Sequence, residues 1–147
     1  MRPESLEERV LKRIDRKRGD AFVRADFSDL GGYDQVGRAL RKIVREGQLL
    51  RVGQGLYARA SRPITSGEAI PARGLATLRE ALGRVGIGTL PTRLERAYNA
   101  GETTQVPTGR VVGVTRRVRR KVGYGGMNLS FERARPAHAR GSSRRLR

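Results

Sequence analysis

Residues 33–59, YDQVGRALRKIVREGQLLRVGQGLYAR, carry the pattern that decides the predicted fold. The first half is typical of an amphipathic helix, which we place from about Asp34 to Glu46, with Gly47 ending it. At about 100° per residue, its side chains separate into two opposite arcs. The aliphatic arc is Val36, Ala39, Leu40, Ile43 and Val44, and the polar arc is Gln35, Arg38, Arg41, Lys42 and Arg45. We expect the aliphatic arc to face a core and the polar arc to face solvent or a partner.

Gly37 lies inside this predicted helix, at the boundary between the two arcs. Glycine at such a position costs about 1 kcal/mol relative to alanine. Its presence indicates tight packing of the neighbouring turn against the helix.

The second half of the same stretch predicts a β-hairpin. Two short apolar runs, 49–52 and 56–58, are separated by Gly53, Gln54 and Gly55. Glycine adopts the backbone angles of a tight reversal, and the apolar runs on either side then pair as strands.

The residues before this stretch predict two more helical segments. Ser5 and Glu8 have the spacing of a capping box, so we expect a helix over Ser5–Lys17. Over Phe22–Leu30 we expect a short extended pair followed by a helical turn. Three helical segments followed by a two-stranded hairpin are the order of a winged helix-turn-helix, in which the hairpin is the wing. We assign residues 1–60 to this domain.

The rest of the chain predicts a linker, a second domain and a tail. Residues 61–73 are rich in Pro, Ser and Gly and lack periodicity, as linkers do. Residues 74–133 are expected to form a small α+β domain, and residues 134–147 a disordered basic tail. The elements predicted in the second domain are helices at Leu75–Val85 and Pro91–Tyr98 and a three-stranded sheet from Val111–Val114, Val118–Val122 and Leu129–Phe131. The predicted fold class is therefore α+β.

The charge of the chain favours a polyanionic partner. Lys and Arg number 32 against 14 Asp and Glu, which gives a formal net charge of +18 in 147 residues. A protein this basic gains strongly from contact with nucleic acid. A GC-rich genome also produces an arginine-rich composition, so the positions of the cations must decide between the two explanations.

Catalysis, metal binding and membrane insertion find little support in the residues. The chain has no cysteine, which excludes disulfides, thiolate metal sites and cysteine nucleophiles. The single histidine, His138, falls in the predicted tail, and the sequence shows no metal-ligand spacing. No apolar run is long enough for a membrane span, and the N-terminus lacks a signal segment. We expect a cytoplasmic protein that is not an enzyme and has no cofactor, no metal and no membrane partner.

The polar arc carries side chains that suit a DNA groove. An α-helix fits the major groove, where an arginine fork pairs with guanine and glutamine pairs with adenine. Gln35, Arg38 and Lys42 suit base edges, and Arg41 and Arg45 suit phosphates. The alternative is a solvated helix face, but the hairpin that follows favours groove contact. The residues that we assign to this DNA-binding helix are Tyr33, Gln35, Arg38, Arg41, Lys42 and Arg45.

The hairpin carries a second set of candidate DNA contacts. Its polar residues are expected to reach the DNA backbone or an adjacent minor groove, and Gly53 and Gly55 let the loop come close. The residues assigned to this wing are Arg51, Gln54 and Arg59.

A further cluster packs five cations into six residues around Val118. These side chains are candidates for phosphate or partner contacts. A charged strand edge that discourages sheet-to-sheet aggregation explains the same pattern equally well, and both hypotheses stay open. The cluster consists of Arg116, Arg117, Arg119, Arg120 and Lys121.

Short motifs along most of the chain match those of one known family. They are Asp26, Phe27, Asp29, Leu30 and Gly31; Tyr33, Asp34, Gln35, Val36, Arg38, Ala39 and Leu40; Gly47, Leu49, Arg51, Gly55, Leu56 and Tyr57; and Tyr98, Asn99, Thr104, Gln105, Val106, Pro107, Lys121, Val122 and Gly123. Together they resemble the AbiEi-type antitoxins of type IV toxin–antitoxin systems. The resemblance implies an N-terminal winged helix that represses its own operon by binding promoter repeats. It also implies a C-terminal domain that counteracts a nucleotidyltransferase-like toxin without a stable complex.

The predicted function is therefore sequence-specific binding of double-stranded DNA by a transcriptional regulator of the autorepressing antitoxin type. The main alternative is an RNA-binding or ribosome-associated protein that uses the 116–121 cluster. Such proteins usually present stacking aromatics on an exposed sheet, whereas only Tyr124 and Phe131 lie near this cluster. A third hypothesis is an antitoxin whose basic surface binds an acidic toxin.

Overall fold

The computed structural model describes residues 2–61 and 68–135 of the protein. This part of the chain contains four α-helices, one 3-10 turn and nine short strands arranged in three sheets. The mixed α+β class expected from the sequence is confirmed at this level.

The first helix, α1, spans Leu6–Arg16 and begins at the predicted capping box. The Glu8 amide donates to Ser5 Oγ over 3.2 Å, and the Ser5 amide donates to Glu8 Oε1 over 3.0 Å. The first turn of a helix leaves its backbone N–H groups without helical partners, and the capping box satisfies two donors at this end. The local sequence therefore determines where α1 starts.

The segment after α1 forms the predicted extended pair, helical turn and helix. Strand β1 spans Ala21–Val23, a 3-10 turn spans Arg24–Phe27, and helix α2 spans Tyr33–Arg45. The bounds of α2 lie within one residue of those predicted. Its buried residues follow the aliphatic periodicity, and they are Val36, Gly37, Ala39, Leu40 and Ile43.

The predicted hairpin is formed by β2, Leu49–Gly53, and β3, Leu56–Ser61, which pair antiparallel. At its tip Gly55 has a φ of +68°, a left-handed conformation that favours glycine. Strand β1 pairs with the other edge of β3, so the strand order is β1-β3-β2.

A fourth strand of this sheet comes from the segment predicted as a linker, 61–73. Strand β4, Ile70–Pro71, pairs antiparallel with the end of β3, with Ser61 opposite Ile70. This pairing gives partners to backbone groups at the end of β3, where a linker would leave them to water. Residues 62–67 of the predicted linker lie outside the described residues.

Both faces of the sheet are covered, because neighbouring residues of a strand point to opposite sides. On one face, Phe22 and Tyr57 join a buried cluster with residues of α1 and α2. On the other face, Ala21, Val52 and Ala58 join a second cluster with residues of the C-terminal half. The C-terminal half therefore packs on the side of the sheet opposite to α2.

The C-terminal half supplies the second cluster through helix α3, which packs against β1 and β3. Leu78, Ala81 and Leu82 of this helix are fully buried. The elements of this half are α3, Leu75–Arg84; β5, Thr89–Leu90; α4, Arg93–Asn99; β6, Val111–Val114; β7, Gly123–Tyr124; β8, Met127–Asn128; and β9, Ser130–Arg133.

The predicted three-stranded sheet exists with a different third strand. Its order is β5-β6-β9, with β6 and β9 parallel, whereas β7 and β8 form a separate pair. The prediction of a strand at Val118–Val122 is wrong, because residues 115–122 run as an irregular segment. A strand places neighbouring residues on opposite faces. The cations at 116, 117 and 119–121 would therefore fall on both faces, and burying a charged side chain without a partner is costly. Neither face of such a strand could pack against the core.

The predicted disordered tail, 134–147, is ordered at its first two residues. The Ala134 amide donates to the Val114 carbonyl over 2.8 Å, and Arg96 Nη2 donates to the Arg135 carbonyl over 2.5 Å. The first bond continues the pairing of β9 with β6, and the second ties the end of β9 to α4. Residues 136–147, and with them His138, lie outside the described residues.

Among the helices that the structure describes, none combines the length and the apolar character needed to cross a bilayer.

Candidate nucleic-acid interface

The polar arc of α2 is open to solvent along the length of the helix. All five of its residues are exposed, as is Tyr33, the sixth residue assigned to the DNA-binding helix, and the buried side of α2 packs against α1 and the sheet. At about 100° per residue, Gln35, Arg38, Arg41, Lys42 and Arg45 fall within about 120° of one another. The structure therefore presents one continuous polar stripe, with the C-terminal half on the far side of the sheet.

Few carboxylates neutralise this stripe. Within the described residues, Lys42 is the only member that forms an ion pair, with Glu7 over 3.1 Å. Nearby carboxylates bind arginines of other elements. Arg13 donates two hydrogen bonds to Asp29, which lower the pKa of that carboxyl to about 2.

The start of α2 is organised by its own side chains. The Gly32 amide donates to Gln35 Oε1 over 3.3 Å, so the Gln35 carbonyl oxygen is used in capping and its NH2 group remains as a donor to a ligand. Tyr33, the first residue of the helix, is 74% exposed. Both residues lie in the first turn of α2, but at about 100° per residue their side chains point to nearly opposite sides of the helix.

Arg24, in the 3-10 turn, is a member of this surface that the sequence analysis did not identify. Its guanidinium carbon lies 3.8 Å from the centroid of the Tyr33 ring, and Arg24 Nη2 donates to the Tyr33 carbonyl over 2.6 Å. A Cβ atom at Gly37 would collide with this guanidinium. The tight packing predicted at Gly37 is therefore confirmed, and the unexplained helical glycine was the available signal for a side chain lying there.

A groove of about 450 Å³ separates α2 from the hairpin. Tyr33 and Gln54 stand along it, and four arginines from three elements line it: Arg24, Arg41, Arg45 and Arg51. A cleft lined by charges of one sign focuses their field and concentrates ligands of the opposite charge. The groove therefore has the shape and the charge to hold a phosphate backbone between the helix and the hairpin.

On the other side of the stripe, Arg38 and Gln35 line a second cleft beside α1, of about 550 Å³. Arg38 and Arg41 thus line different clefts, one on each side of the stripe, although they are only one helical turn apart. Arg45 lines both clefts.

Two of the three residues assigned to the hairpin contacts are exposed near its tip, namely Arg51 and Gln54. The third, Arg59, lies away from the tip and is engaged by other residues of the protein. Arg59 pairs with Leu49 at the base of the hairpin, about 10 Å along the strand from Leu56. Its guanidinium donates to Asp20 Oδ1 over 3.0 Å and to the carbonyls of Ile14 and Gly19 over 3.0 and 3.1 Å.

Arg59 therefore fastens the end of α1 to the sheet, away from the hairpin tip. This role depends on residues about 40 positions away in sequence, which no local pattern reveals.

The 116–121 cluster lies beside the tip of the hairpin. Arg120 Nη1 donates to the Gln54 carbonyl over 3.1 Å, and a Cβ atom at Gly53 would stand 3.0 Å from the Lys121 carbonyl oxygen. Val118 is half-buried against the second core cluster and anchors the segment, while all five cations remain exposed. The structure thus brings the cluster and the hairpin tip into one basic ridge.

In the part of the chain that the structure describes, no group of three or more His, Cys, Asp or Glu side chains could hold a metal ion.

Comparison with known proteins gives one family match. The model of a family of unknown function, DUF6088, matches residues 8–145 of the chain. No curated protein matches, and no solved structure matches.

Proposed function

We propose that this chain, which belongs to the DUF6088 family, is a sequence-specific transcriptional regulator that binds double-stranded DNA through a winged helix-turn-helix in its first sixty residues. The observation that carries the proposal is the exposed cationic stripe of α2, which lies beside an exposed basic hairpin. In this proposal α2 is the recognition helix and the β2–β3 hairpin is the wing.

The geometry of α2 supports entry into the major groove. A helix is about 10–12 Å wide with its side chains, and the major groove of B-DNA is about 12 Å wide. Residues at the start of a recognition helix contact base edges, which fits Gln35 and Arg38. Arg41 and Arg45 line the groove towards the hairpin and would contact the phosphate backbone.

The basic ridge supports a longer contact with the same duplex. Arg51 and Gln54 at the hairpin and the 116–121 cluster beside it are exposed on neighbouring elements. Phosphate contacts position a protein on DNA and add affinity through release of counterions. We assign a backbone-binding role to this ridge.

The regulatory context of the proposal comes from the sequence resemblance to AbiEi-type antitoxins. On that basis the protein acts in the cytoplasm as a repressor of its own operon. A nucleotidyltransferase-like toxin is its proposed functional counterpart, with no stable complex between them.

The observations favour duplex DNA over the RNA alternative. Single-stranded RNA is bound largely by stacking its bases on exposed aromatic side chains. Tyr124 and Phe131, the aromatics closest to the basic cluster in sequence, are half-buried and pack against the second core cluster. They are therefore poorly placed to act as a stacking platform.

The test is to recover the DNA that the full-length protein retains from genomic fragments, at near-physiological salt and with total RNA as competitor. We expect enrichment of one short sequence, including repeats upstream of the protein's own gene. The Arg38→Ala/Arg41→Ala/Arg45→Ala variant should lose the enrichment, and Arg110→Ala, which removes an exposed arginine elsewhere, should keep it. Displacement of the DNA by RNA, or retention of fragments without sequence preference, would contradict the proposal.

A further inference from the structure

We infer that Tyr33 contacts the methyl group of a thymine in the bound DNA, and that Arg24 is the positioning residue that holds the Tyr33 ring for this contact. The inference rests on the proposed function and adds a specificity determinant to it. Arg24 lies outside α2 and outside the hairpin, so neither the helical pattern nor the hairpin pattern points to it.

Tyr33 has the position and the chemistry for an apolar contact with a base. It is the first residue of α2, is 74% exposed, and lines the groove between α2 and the hairpin together with Arg41. Residues at this end of a recognition helix reach base edges. The C5-methyl group of thymine is the apolar group that the major groove displays, and apolar side chains recognise it.

Arg24 restrains the ring of Tyr33 from one side. Its guanidinium lies over the ring at 3.8 Å, and its Nη2 is tied to the Tyr33 carbonyl over 2.6 Å. A cation over an aromatic face is attracted by the electron density of the ring, more strongly when water is excluded. Arg24 Nε is buried without a hydrogen-bond partner in the structure, which indicates that this part of the side chain is desolvated.

Gly37 makes this arrangement possible. The Arg24 guanidinium occupies the space in which any other residue at position 37 would place its Cβ. Alanine at position 37 would restore helix propensity and would also displace the guanidinium, which is the movable partner in this contact. Gly37→Ala should therefore reproduce the effect of removing Arg24 without touching either Arg24 or Tyr33.

The probe for this inference is the duplex recovered in the genomic selection, with its thymines replaced one at a time by deoxyuridine. This replacement removes a single methyl group and leaves the hydrogen-bonding edge of the base unchanged. We expect the wild-type protein to bind about fourfold more weakly at one such position, the size expected for one buried methyl group. Tyr33→Ala should bind the thymine and deoxyuridine duplexes equally, and Tyr33→Phe should keep the preference.

The role of Arg24 is tested with the same pair of duplexes. Arg24→Ala and Gly37→Ala should reduce the thymine preference, and the double variant should reduce it no further, because both changes remove one interaction. Arg24→Lys keeps the charge and loses the planar stack, so it should behave like Arg24→Ala. Arg110→Ala is the matched control and should keep the preference, and unfolding transitions of all variants would identify any loss of fold.

The outcomes separate this inference from the proposed function. If the wild type binds DNA selectively but no thymine replacement weakens binding, the inference is overturned and the proposed regulatory function stands. The same conclusion follows if the preference for thymine survives in Tyr33→Ala. If Tyr33→Ala loses the preference for thymine but Arg24→Ala and Gly37→Ala both keep it, Arg24 is not a positioning residue for Tyr33. Failure of the wild type to select any duplex overturns both proposals together.

Discussion

Arg84 and Asp26, which are 58 positions apart in sequence, form a two-pronged ion pair that joins α3 to the 3-10 turn. Arg84 Nη1 donates to Asp26 Oδ2 over 3.0 Å and Arg84 Nη2 donates to Asp26 Oδ1 over 2.7 Å. Asp26 also accepts from the Val23 amide, and its side chain is only 8% exposed. The pair therefore couples the C-terminal half to the segment that leads into α2.

The first prediction is that Arg84→Ala lowers the free energy of unfolding. Hydrogen bonds to charged groups contribute about 1.5–3 kcal/mol, and the variant leaves a nearly buried carboxylate with weaker partners. We expect a loss of that size in urea-induced unfolding at neutral pH. Arg110→Ala, which removes an exposed arginine, is the control, and an equal loss in both variants would show that the pair carries no special stability.

The second prediction concerns acid unfolding. Burial raises the pKa of Asp26, but the hydrogen bonds from Arg84 and Val23 outweigh it, so the pKa lies below its usual value. A lowered folded-state pKa stabilises the protein above the unfolded-state pKa of about 3.9, and this contribution is lost as the pH falls through the folded-state value. Stability should therefore fall below about pH 4.

Arg84→Ala should show a shallower acid decline than the wild type, because its Asp26 has lost the side chain that contributes most to lowering its pKa. Unfolding free energies measured between neutral pH and about pH 2 would test this. Parallel pH profiles for the two proteins would contradict it.

The third prediction separates base contacts from phosphate contacts on α2. Arg38→Ala should weaken binding to the selected duplex by about 1–3 kcal/mol and relax its base preference, because an arginine fork discriminates guanine. Arg41→Ala, in the groove beside the hairpin, should weaken selected and random duplexes alike. Titrations of both variants with both duplexes are the measurement, and identical behaviour of the two variants would refute the assignment.

The fourth prediction tests the two hypotheses for the 116–121 cluster. If these cations contact phosphates, Arg117→Gln/Arg119→Gln should weaken binding to all duplexes. The salt slope, which is the slope of the logarithm of the binding constant against the logarithm of the salt concentration, should become less steep by up to about 0.9 for each phosphate that is no longer neutralised. Both residues are exposed, so folding should be unaffected. Unchanged DNA binding together with increased self-association in light scattering would instead support a charged surface segment that prevents aggregation.

The fifth prediction concerns the end of the chain. Truncation after Arg135 keeps the hydrogen bonds of Ala134 and Arg135 and removes the arginines at 140, 144, 145 and 147. The thermal transition should stay where it is, and the salt slope of DNA binding should flatten. Truncation after Arg133 is the comparison and should lower the transition, since it also removes the bonds to Val114 and Arg96. If truncation after Arg135 also lowers the transition temperature, residues 136–147 stabilise the fold.

Local features of the fold followed from the sequence because their causes lie within a few residues of each other. Ser5 and Glu8 are three positions apart and cap α1 as expected. The aliphatic arc of α2 repeats with the helical period of 3.6 residues, and the hairpin glycines lie directly between the two apolar runs that pair, so both are local patterns as well. Strand β4 and the irregular segment 115–122 were not predicted, because their structure depends on what they pack against.

The candidate site divides in the same way. The sequence by itself determined which side of α2 carries the cations, because the helical spacing of its apolar and charged residues places them on opposite sides of the helix.

Only the tertiary structure decided which arginines remain available to a ligand. Arg51 and Arg59 belong to the same hairpin, yet Arg51 faces the groove beside α2 whereas Arg59 is bound by Asp20 and the end of α1. The same is true of Arg24, which is close to α2 in sequence but reaches Tyr33 only because Gly37 leaves room. Charge pairing acts through space, so its partners depend on how distant segments pack and not on their order in the chain.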